Sequence, residues 1–469
     1  MSTHSRILNS TLKSLAVAAL ALFAGTHLPA RAQDDGPKLN FIRDAETEHF
    51  LRKISNPLFA AAGLDTSAVH IYLLNETSIN AFVAGGQNMF MHTGTITSAQ
   101  TPNELSGVIA HETGHIAGGH ITRTAESIGK LQTPTLLGVL LGIGVMAAGA
   151  PQVGAAIMTA AQTIGMRNYL SYTRAQESSA DQAAVRFLSA TKQSGQGLLN
   201  FFDRLHNDEI ISARQPDPYA VSHPLSGDRI ASLQREVQAS AFFKTQDDPQ
   251  LLAELQLIQG KIHGFLEPAD VVMRRYPVRD TSAQARYARA AAYYRRGQLD
   301  LGLAEINSLI KDNPKDAYFF ELKGQMLFES GKVSESVEPY RTAAALAVND
   351  GQIHAGLGQS LIAAAEADHD PAKLDAAITA LRTAIKEDDD LPIGWRRLAE
   401  AYAAKGNEGM ANLATAEFNY AIGNLPQAGR FALRAREIIA KGTVSYNRAN
   451  DIVHLAQEAG GGKRARAGR

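Results

Sequence analysis

Through most of the chain beyond Thr101, apolar side chains return every third or fourth residue, the period of helices with one buried face. Before that point the pattern is mixed. Residues 69–74 read as a short strand, and residues 81–83 and 88–92 as a second strand broken by Gly85-Gly86. Thr101-Pro102-Asn103-Glu104 is a helix start: a hydroxyl at the cap, proline at the first helical position and a glutamate three residues on. The helix it opens runs through Leu105, Val108 and Ile109 and is expected to end near Gly118-Gly119. An apolar, glycine-rich stretch fills 134–166, and a more polar helix is predicted over 168–191. These elements predict a mainly α protein with a small β-sheet.

A chain of 469 residues exceeds one ordinary core, so two or three units are expected. The C-terminal part repeats. Gly297 and Gly331 stand 34 residues apart, each a turn glycine between two amphipathic helices, in "YYRRGQLDLGLAEI" and "LFESGKVSESVEPY". Pro314 closes the first unit, and Gly324 offers a small residue where helices cross. Trp395, Leu398, Tyr402 and Gly406 repeat the spacing, Gly423 follows half a repeat later, and the middle unit carries an insertion over 363–373. Period and positions resemble tetratricopeptide repeats, which expose concave surfaces to peptides and partner proteins.

The net charge of -1 gives no reason to expect nucleic acid. There are no cysteines, so disulfides and thiolate metal sites are excluded. A metal here must be held by His, Asp or Glu. At the N-terminus Arg6 and Lys13 precede an apolar run, and Ala30-Arg31-Ala32 has the form that signal peptidase cuts. Cleavage after Ala32 is expected to place the mature chain, beginning near Gln33, outside the cytoplasm. The stretch at 134–166 holds an uninterrupted apolar run of about 15 residues, short of the roughly 20 that a spanning helix needs. It is expected to fold over a cleft as a cover, with at most peripheral membrane contact.

His111-Glu112-Thr113-Gly114-His115 carries the chemistry. Two histidines at i and i+4 stack on one helix face and can reach one zinc ion, and Glu112 between them is placed to take a proton from water. A catalytic zinc needs a third protein ligand and an open fourth position. The extension H-x-x-G-x-x-H fails, because Ile121 occupies its last position and the histidine comes one residue early at His120, expected to be partly exposed or to support a ligand. Glu177-Ser178-Ser179-Ala180-Asp181 offers the better candidate. Glu177 can complete the triad, Asp181 on the same face can fix a histidine tautomer, and the small residues between allow close helix approach.

"NAFVAGG" at residues 80–86, "HETGH", "ESSAD", "SHPLSGDRI" at 222–230 and the repeats occur together and in this order. With them the chain resembles the HtpX-like and CAAX-prenyl-protease-like gluzincin family of zinc metallopeptidases, in its periplasmic branch with tetratricopeptide repeats. The resemblance implies an α+β zincin-type metallopeptidase domain over 33–262 and a helical-repeat solenoid over 263–459, while the composition of residues 460–469 reads as a disordered basic tail. It implies one zinc ion held by His111, His115 and Glu177, with Glu112 as general base. It implies that the strand around Ala81, Phe82, Gly85 and Gly86 lines the cleft, where substrate backbone can add by β-augmentation. His223 is implied to lie beside the zinc; it either occupies the open position as a latch or stabilises the oxyanion, and the sequence does not choose. The implied function is a periplasmic endopeptidase acting on unfolded or stalled outer-membrane proteins, with a chaperone-like role and repeats that engage the outer-membrane assembly machinery. Two rivals fit the same residues: a repeat-based scaffold with a latent zinc site, and an integral-membrane peptidase.

Overall fold

The computed structural model describes residues 40–120, 174–212 and 218–467. The expected signal segment and the apolar stretch at 134–166 lie outside these residues. Four strands, β1 (Phe41–Ile42), β2 (His70–Leu74), β3 (Ala81–Ala84) and β4 (Asn88–His92), form one sheet in the order β1-β2-β4-β3. β2 and β4 run parallel, while β3 and β4 are an antiparallel pair with Phe82 opposite Phe90. The single broken strand expected over 81–92 is therefore two strands of a hairpin. Gly85 (φ 59°) and Gly86 (φ 99°) make its turn, in the left-handed region that only glycine enters freely. One sheet face carries Ala81, Val83, Met89 and Met91 into the core; the other stacks Phe82, Phe90 and Tyr72.

Helix α1 (Ala45–Ala61) packs on α3 (Pro102–Ala117), which follows the short α2 (Thr93–Ser98). Every residue of α3 from Glu104 to His115 is buried, as in a helix at the centre of a domain. Its start follows the expected pattern with one change. Thr101 Oγ1 accepts from the Glu104 amide at 3.3 Å, but Glu104 Oε2 reaches back to the Gln100 amide (2.8 Å), one residue before the cap. Both Glu104 oxygens also take Arg204 of α5 (Gln196–Ser212), at 2.9 and 2.7 Å. Helices α4 (Arg174–Ala190), α6 (Pro218–Ser222) and α7 (Gly227–Ala239) complete the domain around α3.

One continuous helix, α8 (Pro249–Leu266), crosses the boundary expected between residues 262 and 263. Its Leu255 and Ile258 belong to the domain core. Its Gly260 and Gly264 face the helix Ala283–Arg295 so closely that a Cβ would stand 2.6 Å from Gln284 O and 2.4 Å from Ala288 O. The domain thus supplies the surface on which the repeats stack. Helix pairs follow with glycines of positive φ at the expected turns, Gly297, Gly331, Gly406 and Gly423. Gly324 lies against the Tyr340 ring, where a Cβ would come within 2.6 Å, as expected of a crossing point. The insertion is taken up by a 17-residue helix, Gly351–Ala367, and a turn with His369 at φ 53°. The last helix, Val444–Ala467, reaches into the basic segment expected to be disordered.

Candidate metal centre

Four side chains converge between α3, α4 and the residue after α6. His111 and His115 stand one turn apart on α3, Nε2 to Nε2 3.1 Å. Glu177, in the first turn of α4, places Oε2 3.4 Å from His111 Nε2 and Oε1 3.4 Å from His115 Nε2. His223 Nδ1 lies 3.0 Å from Glu177 Oε1 and 3.3 Å from His111 Nε2. All four residues are buried, and one ligand atom from each lies within 4.8 Å of the others. Zinc–ligand bonds of roughly 2.0–2.1 Å at tetrahedral angles set neighbouring donors about 3.4 Å apart. The spacing fits a four-coordinate zinc, and the absence of cysteine leaves N and O donors alone to hold it.

The local sequence explains how the helices come this close. Opposite Gly114 lies Ala180, and a Cβ on Gly114 would stand 2.8 Å from its carbonyl oxygen. The small residues of "ESSAD" and "HETGH" therefore meet at the crossing.

Around the donors sits a ring of supporting charge. Asp181 Oδ1 lies 2.9 Å from His111 Nδ1, a placement that favours a proton on that nitrogen and leaves the Nε2 lone pair facing the cluster. His120 is buried, not partly exposed, and its Nδ1 meets His115 Nδ1 at 3.0 Å. Arg229 of α7 was not picked out by the sequence reading. Its Nη1 lies 2.6 Å from Glu177 Oε2, and its Nε and Nη2 lie 2.6 and 2.8 Å from the two Asp181 oxygens. The signal lay in "SHPLSGDRI", but only the fold brings that guanidinium between two acids.

Burial opposes charge on each of these groups, and the neighbours decide the outcome. The carboxylates of Asp181 and Glu177 outweigh burial at His111 and push it up to about 9. For Glu177, the surrounding histidines overcome burial and hold the carboxyl well below its usual range. At His115 burial wins, and the imidazole stays neutral well below its usual pKa. Glu112 is raised by burial, with His223 and His111 opposing, and its Oε1 lies 3.3 Å from His223 Nε2. The His223 ring thus stands between Glu112 and the other donors. Of the expected substrate-strand residues, Ala81 and Phe82 are buried on β3, the edge strand, and Gly85 and Gly86 form its turn.

A buried His/His/Glu/His cluster between two crossed helices, with a glutamate beside it, is the site of a metallopeptidase-type domain. Residues 45–237, the domain that holds the cluster, match the model of peptidase family M48. Beta-barrel assembly-enhancing protease of Yersinia pestis is 24% identical over 391 residues, covering 82% of this chain and 78% of that protein. The protein of the same name in Escherichia coli K12 is 23% identical, with the same coverage. A solved thermophilic TPR protein of Thermus thermophilus is 17% identical over 37% of this chain and 99% of its own, at a TM-score of 0.25.

Proposed function

We propose that this protein is a zinc-dependent endopeptidase of the periplasm that acts on unfolded or stalled outer-membrane proteins, its helical array engaging substrates and assembly partners. One observation carries the chemistry: four donors from three stretches of chain converge at ligand spacing inside a domain that matches a peptidase family. His111, His115 and Glu177 are the assigned ligands, with Asp181 and Arg229 holding them from behind. Bound zinc would supply Lewis acidity toward the scissile carbonyl and the attacking water. Glu112 moves the protons, from that water to the leaving amine; its raised pKa suits a group that must hold a proton between steps. His223 fills the space between Glu112 and the ligands, so the resting site is closed and the imidazole moves aside when substrate enters. β3, with Ala81, Phe82 and the Gly85-Gly86 turn, is the assigned strand for substrate backbone.

The periplasmic setting rests on the N-terminal export pattern, and the substrate class on the name of the relatives. Among the described residues no helix is long and apolar enough to cross a membrane. Casein hydrolysis by purified protein, with and without chelator, tests the reading. Hydrolysis should be chelator-sensitive, and in Glu112→Gln it should fall by about 10²–10⁴ while zinc stays bound. Hydrolysis near the wild-type rate in that variant would remove Glu112 from its assigned role. If the wild-type protein binds casein and neither it nor His223→Ala cleaves any, the scaffold reading takes over.

A further inference from the structure

The first turn of α1 meets the helical array through charge more than through apolar packing. Lys261 of α8 is buried, and three carboxylates surround its ammonium. Asp44, the N-cap of α1, lies at 2.5 Å, Glu46 at 3.3 Å, and Glu321 of the helix Ala317–Glu329 at 3.7 Å. Glu46 Oε2 also accepts from Tyr287 OH, on the helix Ala283–Arg295, at 2.8 Å, while Glu321 Oε2 accepts no hydrogen bond. Of α1, Ala45 alone joins the apolar cluster of the repeats over 317–380. Beside it a cavity of about 620 Å³ separates Phe50 and Glu46 from Tyr318 and Val348.

One ammonium does not balance three shielded carboxylates. Burial works against charge at Asp44, but Lys261 and the Thr47 hydrogen bonds outweigh it and hold that carboxyl below its usual range. Glu46 and Glu321 are left over. Burial raises Glu46 to about 8, with Asp44 and Asp316 adding to it and Lys261 and Tyr287 opposing. Burial raises Glu321 to about 7, with Asp44 and Asp350 adding and Lys261 opposing. Glu46, 7% exposed, is the better shielded of the two and holds its proton more tightly than Glu321, 20% exposed. The other neighbours add acid or nothing. Asp316 and Asp350 cap the helices Ala317–Glu329 and Gly351–Ala367, and burial raises both. The phenols of Tyr287, Tyr318 and Tyr340 are raised by burial and stay neutral. His49 of α1 faces Asp350. Two lysines line the cavity: Lys53, which is taken by Glu254 of α8 at 2.8 Å, and Lys315, beside Asp316.

We propose that α1 and the helix pairs over 317–387 form a proton-dependent clasp, shut while Glu46 and Glu321 are carboxylic acids and released when both ionise. The helix Ala283–Arg295 stays on α8 through the close crossings at Gly260 and Gly264, so the pairs beyond it swing from that joint. Once released, both carboxyls meet water and return to their ordinary pKa of about 4.3. A carboxyl raised on closing stabilises the shut form below that ordinary value. The contribution is lost as pH rises through about 7 for Glu321 and about 8 for Glu46. Between those limits each proton released on opening weakens closure by about tenfold per pH unit. The clasp stands whether or not the cluster on α3 and α4 binds zinc.

The chain has no cysteine, so a pair of nitroxide labels can be placed in the full-length protein without background. Ala61→Cys on α1 and Ala345→Cys on the helix Val333–Leu346 are exposed positions on the two sides of the clasp. Their separation should be a single short distance at about pH 5.5. From about pH 6 to about pH 9 a longer distance should gain roughly tenfold or more in population. With Glu46→Gln and Glu321→Gln together, neither of which can lose a proton, the short distance should persist at every pH. A single distance across the whole range in the otherwise wild-type chain overturns the clasp, and so does an unchanged pH response in the double Gln variant. Hydrogen exchange of the unlabelled wild type, corrected for the intrinsic effect of pH, reads the same event without any substitution. Residues 45–50 and 317–325 should lose protection by roughly tenfold over that range while α3 keeps its own. No loss there, or an equal loss in α3, contradicts the proposal.

Discussion

Glu177 and Asp181 project from one face of α4, and both carboxylates are almost fully withdrawn from water. Two such charges side by side are tolerable only because Arg229 meets both and His111 meets both from the other direction. Removing one partner of a buried set leaves the others uncompensated, so Arg229→Leu should cost about 3–5 kcal/mol in urea unfolding. A loss under about 1 kcal/mol, the range of exposed pairs, would mean the guanidinium is not shielded as described. The histidines and Glu112 were legible in the sequence because helical spacing alone brings i and i+4 together. Glu177 and Asp181 were legible for the same reason, as a second such pair. Arg229 was not, since its partners lie far away in sequence, Asp181 being 48 residues from it, and no period connects them. Of the two expectations for His120 the supporting role fits its place, because the turn at Gly118-Gly119 folds it back onto α3 beside His115, where its Nε2 would stand 2.5 Å from a Cβ on Gly118.

Between elements, the crossing of α3 on α4 sets how far the ligands stand from one another. Gly114 is the contact point, and a methyl group there must push Ala180 away or bend a helix. Gly114→Ala should therefore destabilise the domain by about 1–3 kcal/mol and weaken zinc retention in the same variant. Denaturant melts with and without chelator would read both effects; unchanged zinc affinity would mean that the ligands do not depend on this crossing. Helices were the most legible elements, because a 3.6-residue period sustained over about four turns has no rival reading. The hairpin was less so. Short apolar runs do not reveal whether they pair, and Gly85-Gly86 suits a break or a turn equally. The boundary at 262/263 fell inside α8 because nothing in composition marks the point where one face of a helix changes partners.

At the scale of the whole molecule, the sheet domain and the helical array belong to one compact unit, tied at points far apart in sequence. Arg43 pairs with Asp388 at 2.7 Å and donates to Asp390 O at 2.9 Å, and Tyr72 OH donates to Asp390 Oδ2 at 3.3 Å. Lys261, buried on α8, is shared by Asp44, Glu46 and Glu321. None of this was legible, since charges in loops carry no sign of which distant loop they meet. Burial raises Asp390 to about 6, with Asp388 and Asp389 adding to it and Arg43 opposing. A carboxyl raised on folding stabilises below its ordinary pKa of about 3.9, and that contribution is lost as pH rises through about 6. Asp390→Asn cannot lose a proton. Its stability relative to wild type should therefore improve between about pH 4 and pH 8, by on the order of 1 kcal/mol after allowing for partial solvent screening. Thermal melts across that range check it; a constant difference would place the titration elsewhere.

Whether α3 and α4 together hold a zinc ion is tested most directly by metal analysis of the purified protein. Wild type and Glu112→Gln should each carry about one zinc per chain, while Glu177→Gln, which keeps the shape but removes the charged ligand, should lose most of it. Equal zinc in all three, or none in wild type purified without chelator, would contradict the assignment of this cluster as a metal centre.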